Sequence, residues 1–401
     1  MRRVGVRERR ARLGARHRLA SRGATVEEAA GAVVGLHSSD PATVYLSSWA
    51  RVDGFDPADL EDALYVRRSL VRMLGMRRTL FVVPVDLAPV MHEACTKALI
   101  PGQRARLLRM LEEQRVAPPG SGQAWLARVA AETLAALAAQ GEAVARELSA
   151  DVPELRAKLT FGEDTTWAGT MGVSTRVLFL LATEGLIVRT RPLGAWTSGQ
   201  YRWATIEHWL GAPLREIDHT EACSELLRRW LRSFGPATMT DIRWWTGWTA
   251  ALSRATLGAI DAVEVRLADG IGYALTDDLD RAGDAGSWVA LLPGLDPTVM
   301  GWKDRGWYLG DRGTDLFDRS GNAGPTVWAN GRVVGAWAQT EAGEIVVELF
   351  ARLDATTRAR LDAERERLAA WLGDVRIRSR FGTPLGKELA TRSSGEASRR
   401  R

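Results

Sequence analysis

The chain has 401 residues, 46% hydrophobic and 26% charged, which is ordinary for folded protein and too long for a single core, so two to four domains are expected. No run approaches the ~18 apolar residues of a membrane-spanning helix, and the Arg-rich start MRRVGVRERRARLGARHRLA lacks the apolar stretch of a secretory signal. The two cysteines, Cys95 and Cys223, lie far apart in sequence, which argues against a disulfide framework or zinc site and for a reducing cytoplasm.

Net charge is +5, and the positive charge is almost all arginine. Guanidinium forks match phosphates bidentately, so nucleic acid is a compatible partner. A coding bias toward arginine would leave the same composition.

Residues 1–285 read as helices broken by short strand pairs, in three segments of one plan: helix, turn, helix, hairpin. The first runs from TVEEAAGAVVGLHSSDPATVYLSSWAR to LVRMLGMRRTLFVVP, with RRTLFVVP a strand closed by Pro84. The second carries the helix VLFLLATEG, ending at Gly185, and a hairpin from LIVRTR and QYRWA around a Gly/Ser turn. In the third, FGPATMTDIRWW is a helix end, a Gly-Pro turn and a new helix capped by Thr238 or Thr240, and AVEVRLADGIGYALT is the hairpin. Helix-turn-helix plus hairpin is the winged-helix pattern. RWWTGW, Arg243 to Trp248, reads as packing rather than a base-stacking box.

After about Ser287 the texture alternates apolar and polar residues, with NGR a tight turn, which predicts a meander or small barrel. A final amphipathic helix, ATTRARLDAERERLAAWLG, precedes a polar tail. The expected fold class is α+β and mostly helical, with three tandem winged helices and a small C-terminal β-barrel. The expected boundaries are 1–110, 111–212 and 213–285 for the winged helices, 286–378 for the barrel with its helix, and 379–401 for a partly disordered tail.

One stretch stands out, VVGLHSSDPATVYLSSWAR, where a His-Ser-Ser-Asp cluster occupies a helix-to-helix link. Asp40-Pro41 reads as an N-cap followed by the first helical residue, so a helix through Trp49 is expected. His37 and Ser39 then sit in the irregular link beside a positive helix N-terminus, where imidazole can address an anion or a water. The bland reading has His37 bonding a nearby carbonyl and Ser39 as a second cap.

The segment RHRLASRGATVEEAAGAVVGLHSSDPATVYLSSWAR resembles the N-terminal module of the bacterial YcaQ/AlkZ-type winged-helix DNA glycosylases, and MRRTLFVVP, WTSGQYRWA, LLPGLDPTVMGWKDR and NGRVVGAWA extend the likeness in order. That family removes alkylated purines and bulky or crosslinking N7-guanine adducts on a scaffold of three winged helices and a β-barrel. The sequence departs from it in one place that matters. The family typically carries Gln-x-Gln or Gln-x-Asp where this chain has His37-Ser38-Ser39, and often His where it has Phe81.

The resemblance implies a monofunctional glycosylase, monomeric and cytoplasmic, acting on double-stranded DNA with alkylated guanine and needing no metal or organic cofactor. An N7-alkylguanine is cationic and leaves readily, so the enzyme has to stabilise an oxocarbenium-like sugar and deliver a water. His37 would be the base, Ser39 would orient the water, and Asp40 would oppose the developing positive charge. For DNA contact the expected residues are Arg189, Arg191, Trp196 and Arg202 of the second hairpin, with Arg77 and Arg78 beside the first strand. A non-catalytic winged-helix regulator or lesion sensor, and a small-molecule binder on the same scaffold, are the competing readings.

Overall fold

The computed structural model describes residues 1–162 and 168–392. The chain divides into two compact units, neither continuous in sequence. One is formed by residues 1–63, 81–84 and 224 onward, the other by 64–80 and 85–223. These units cut across the linear boundaries read above. Residues 1–110 contribute to both, with 1–63 and Phe81–Pro84 in the first unit and the rest in the second.

The expected order of elements recurs. Helices Gly122–Gln140, Ala145–Asp151 and Val173–Thr183 lead to the antiparallel hairpin Ile187–Pro192 and Tyr201–Thr205. Helices His219–Phe234, Met239–Thr246 and Ala250–Ala259 lead to the hairpin Ala262–Leu267 and Gly270–Leu275. Of the two threonines proposed as cap, Thr238 takes the role: its hydroxyl accepts from the Asp241 amide while Asp241 reaches back to the Thr238 amide. In the second unit, Leu126, Val129, Thr133 and Leu137 recur at helical spacing on one buried face and pack with Leu111, Val177 and Leu181.

In the first unit the strands Val289–Leu292, Thr326–Ala329, Arg332–Gln339 and Ile345–Leu349 pair antiparallel in chain order. Asn330 and Gly331, at φ 48° and 78°, make the two-residue turn that the Asn-Gly pair predicts. The expected barrel is not closed, for the first and last of these strands do not pair with each other. Four strands are too few to roll around a filled interior. Instead the helix Ala355–Leu372 packs on the first strand and the helix Pro384–Ala390 on the long third one, burying Leu361, Leu368, Leu385 and Leu389. The second of these helices lies inside the segment 379–401 that was expected to be a partly disordered tail. Residues 393–401 lie outside the described residues.

The core of this unit holds a polar knot. Arg51 and Asp296 are fully buried and joined twice, Nη1 to Oδ2 at 2.8 Å and Nη2 to Oδ1 at 2.7 Å. Ser47 donates to Asp296 Oδ2 at 2.7 Å, the Thr298 amide donates to Oδ1 at 2.9 Å, and Arg51 also donates to Thr298 Oγ1 at 2.7 Å. His17 closes the knot, with Nδ1 2.9 Å from Thr298 Oγ1 and its ring against Phe234 and Trp302. Burial pushes the Asp296 carboxyl up, but Arg51 more than offsets this and holds it below the ordinary range. For His17, burial and then Arg51 act in the same direction and bring its pKa down to about 3.

A buried pair of this kind is far costlier to halve than to keep. Arg51→Ala is expected to lower the unfolding free energy by about 3–5 kcal/mol, the cost of an orphaned buried charge, as read by urea denaturation. The pH dependence has a definite sign. Because the folded pKa of His17 lies below its unfolded value, the unfolded chain takes up the proton first, and stability falls as pH drops from about 6.5 toward 4. Thermal midpoints across that range should decline for the wild type and decline less for His17→Gln.

Candidate active site and DNA-facing residues

The link before the helix Pro41–Arg51 contains a two-residue strand at Leu36 and His37, while Ser38, Ser39 and Asp40 are irregular. Leu36 and His37 pair antiparallel with Val82 and Phe81. Val34 enters it at φ 64°, and a Cβ on Gly35 would stand 2.8 Å from the Val83 side chain, so a larger residue there would have to displace Val83. The His37 ring meets Phe81 edge-on at 5.1 Å, which puts against it the residue that departs from the family pattern in the neighbouring strand. His37 and Ser38 are buried and Ser39 is half-exposed. The Ser39 amide donates to His37 Nδ1 at 3.4 Å, so the ring is oriented from within its own loop.

Asp40 is the N-cap that its sequence predicts, accepting from the Ala42 amide at 3.1 Å with Pro41 next, and the helix runs two residues past Trp49 to Arg51. All eleven residues of this helix are buried, so the cluster is anchored at one end of a rod whose other end is Arg51. The second Asp40 oxygen accepts from the Arg380 amide at 3.0 Å. Each oxygen thus has a backbone donor and retains a further lone pair.

Asp40 also lines a cavity of about 660 Å³, with Thr43, Leu46, Gly294, Trp337 and Phe381 among its walls. The roof is a C-terminal strap. Ile377 donates its amide to Gln339 Oε1 at 2.8 Å, Arg380 holds Asp40, and Thr383 caps the helix Pro384–Ala390. Sequence reading missed this strap, although Thr383-Pro384 repeats the cap-then-proline signal of Asp40-Pro41.

In the second unit the hairpin carries its arginines on aromatic faces. Arg189 lies 4.4 Å over Trp203, Arg191 4.6 Å over Tyr65 and Arg72 4.5 Å over Tyr201. Arg189 is half-buried, and burial together with the nearby charge of Arg72 pulls its pKa down to about 10. Arg202 is 3.5 Å from Glu147. Arg191 is exposed, and Trp196 sits half-exposed at the tip, which Leu193 and Gln200 close with a 2.7 Å hydrogen bond. Arg77 and Arg78 are exposed on the turn Met76–Arg78, both with left-handed backbone at φ 53° and 63°. Trp245 and Trp248 of RWWTGW are buried, as a packing role requires.

Comparison with known proteins bears on what this arrangement does. No curated sequence matches the chain. Its fold is similar to that of the Streptomyces sahachiroi DNA glycosylase AlkZ, with a TM-score of 0.71 over 94% of this chain and 98% of that one, at 18% sequence identity. A family model described as DNA glycosylase AlkZ-like matches residues 30–371, a span that holds the His37–Asp40 cluster and the arginine-bearing hairpin and stops short of the strap. The chain belongs to the AlkZ-like DNA glycosylase family.

Proposed function

We propose that the protein hydrolyses the N-glycosidic bond of bulky N7-alkylguanine in duplex DNA, and that it protects a cell exposed to a DNA-alkylating natural product. Three winged helices and a monomer are part of this reading. The observation that carries it is the placement of His37, Ser39 and Asp40 at the rigid head of a fully buried helix, in a chain of this family. A site fixed to that degree suits a reaction in which the leaving group is already activated and positioning a water is the remaining task.

The loop geometry supports a reading of His37 other than that of a base. With Nδ1 accepting from the Ser39 amide, the neutral ring carries its proton on Nε2. Such a ring holds a water by donating to it, which is a task the family's amide side chain also performs. His37 therefore orients the water rather than acting as its base, and Asp40, through the lone pairs its cap leaves over, opposes the positive charge on the sugar.

DNA binding would rest on backbone contacts from Arg77, Arg78, Arg189, Arg191, Trp196 and Arg202. This predicts weak sequence preference and a steep loss of affinity with salt.

The decisive experiment incubates purified protein with a duplex bearing one bulky N7-alkylguanine, then heats it in alkali to cleave abasic sites. His37→Ala is expected to slow base release by roughly 10²-fold or more, the scale of a lost positioned catalytic group, with duplex affinity unchanged. His37→Gln should restore most of the rate, whereas Gln as poor as Ala would reinstate the base role. Asp40→Asn keeps the cap but gives up the acceptor for the Arg380 amide, so slower release with a small drop in melting temperature is the expected result. Release that none of these variants alters would place the chemistry elsewhere. Duplex binding with no base release by the wild type would leave a lesion sensor.

Trp196→Ala combined with Arg191→Ala should weaken duplex binding while leaving the melting temperature nearly unchanged. Unfolding of that double variant would instead show the hairpin tip to be packing.

A further inference from the structure

Three arginines of the second unit converge from separate elements: Arg78 from the turn Met76–Arg78, Arg106 from the helix Ile100–Glu113 and Arg176 from the helix Val173–Thr183. Arg106 and Arg176 line one narrow crevice with Gln103, Met110 and Phe179. The Arg78 guanidinium lies 5.8 Å over the ring of Phe179, which stands one helical turn beyond Arg176 on the same face. Arg78 and Arg106 are exposed and Arg176 is half-buried.

Other arginines of this unit find carboxylates, as Arg104 does in Glu184 and Arg128 in Glu132 and Glu154. Among the described residues none of these three does, and Arg176 Nε is buried without a hydrogen-bond partner. The arrangement is unfavourable in three further respects. Burial, then Arg106 and Arg78, disfavour the charge on Arg176. Arg176 also sits near the start of its helix, whose first turn holds no acidic residue, so the positive end of the helix dipole adds to the repulsion.

The turn itself is the third respect. Arg77 and Arg78 occupy left-handed backbone in succession, where glycine or asparagine is usual, and each such residue costs on the order of 1 kcal/mol. Among the described residues no carboxylate faces these three guanidinium groups. A bound anion would offset these costs, since it would meet all three guanidinium groups and the helix pole together.

We propose that Arg78, Arg106 and Arg176 form one anion site that clamps a phosphodiester of the DNA backbone. Phe179 serves as its floor, holding the Arg78 side chain by its aromatic face while the guanidinium edge stays open to the phosphate. The proposal rests on the DNA-directed function above. It adds Arg106 and Arg176, which no motif marks, to the two arginines of the turn. A phosphate held by three forks is fixed in position, so the site sets where the duplex lies along this unit and carries no base information.

The test uses the full chain and an undamaged fluorescent duplex, with affinity read by anisotropy over a salt series. Arg106→Gln with Arg176→Gln is expected to weaken binding roughly five- to tenfold at moderate salt and to reduce the slope of log affinity against log salt by about 1, one neutralised phosphate. The melting temperature should hold or rise, because a like-charge contact is removed. Arg128→Ala, whose side chain is already paired, should leave binding unchanged. If the double variant folds poorly, the exposed Arg106→Gln alone carries the measurement, and Arg106→Lys should recover part of the affinity.

Two results would overturn the proposal. One is an unchanged affinity and salt slope in the arginine variants. The other is inorganic phosphate stabilising the wild type but not the double variant while duplex binding stays unchanged, which identifies a small-anion site instead. Because the readout is binding to undamaged DNA, it stands whether or not base release is observed. In an active enzyme the same variant should raise KM and leave kcat alone.

Discussion

The Arg51–Asp296 pair is the constraint on which the first unit depends. Two full charges are placed where water does not reach, and only their mutual fit and the hydrogen bonds of Ser47, Thr298 and the chain amides make that tolerable. The geometry therefore admits little slack. It fixes the end of the helix Pro41–Arg51 against the loop after Leu292, and through His17 against the cluster of Phe234 and Trp302. A purely apolar contact would tolerate sliding, and this one does not.

That rigidity is transmitted to the candidate site along the helix. Asp40 stands at the opposite end from Arg51, eleven buried residues away, and is held there by its own cap and by the strap residue Arg380. His37 is fixed from the other side by strand pairing with Phe81. The polar cluster is thus clamped on both flanks, and its chemistry can use orientation rather than strong acid or base. Under the proposed function, that would suit a leaving group that departs as a neutral base from a cationic adduct, with His37 holding the water by donating to it.

The second unit handles charge in a different way. Its hairpin arginines rest on Trp203, Tyr65 and Tyr201, which lets several cations crowd one surface at a modest cost for each. Aromatic faces screen a guanidinium only partly, so the surface remains attractive to phosphate. Tryptophan and arginine meet in both units, as Arg367 over Trp49 and Arg9 over Trp307 in the first and Arg189 over Trp203 in the second. Coding bias can supply arginine, but it does not place three of them around one phenylalanine.

Much of the local structure was legible in the sequence. Asp40-Pro41, the cap at Thr238, the Asn330-Gly331 turn and the second hairpin all appear where residue type demands them, because caps and tight turns satisfy backbone needs within a few residues. The family resemblance was legible in motifs between residues 16 and 338, and the family model matches residues 30–371. What only tertiary structure decided is long-range. His37 is a strand residue because of Phe81, the sheet stays open because helices cover it, the tail is a strap because of Asp40, and Arg51 is a core residue because of Asp296. Asp40 and Arg380 stand 340 positions apart, and Arg51 and Asp296 stand 245 apart. Their energies come from burial and mutual geometry, which exist only once the chain has folded, so no local pattern at either partner announces the other.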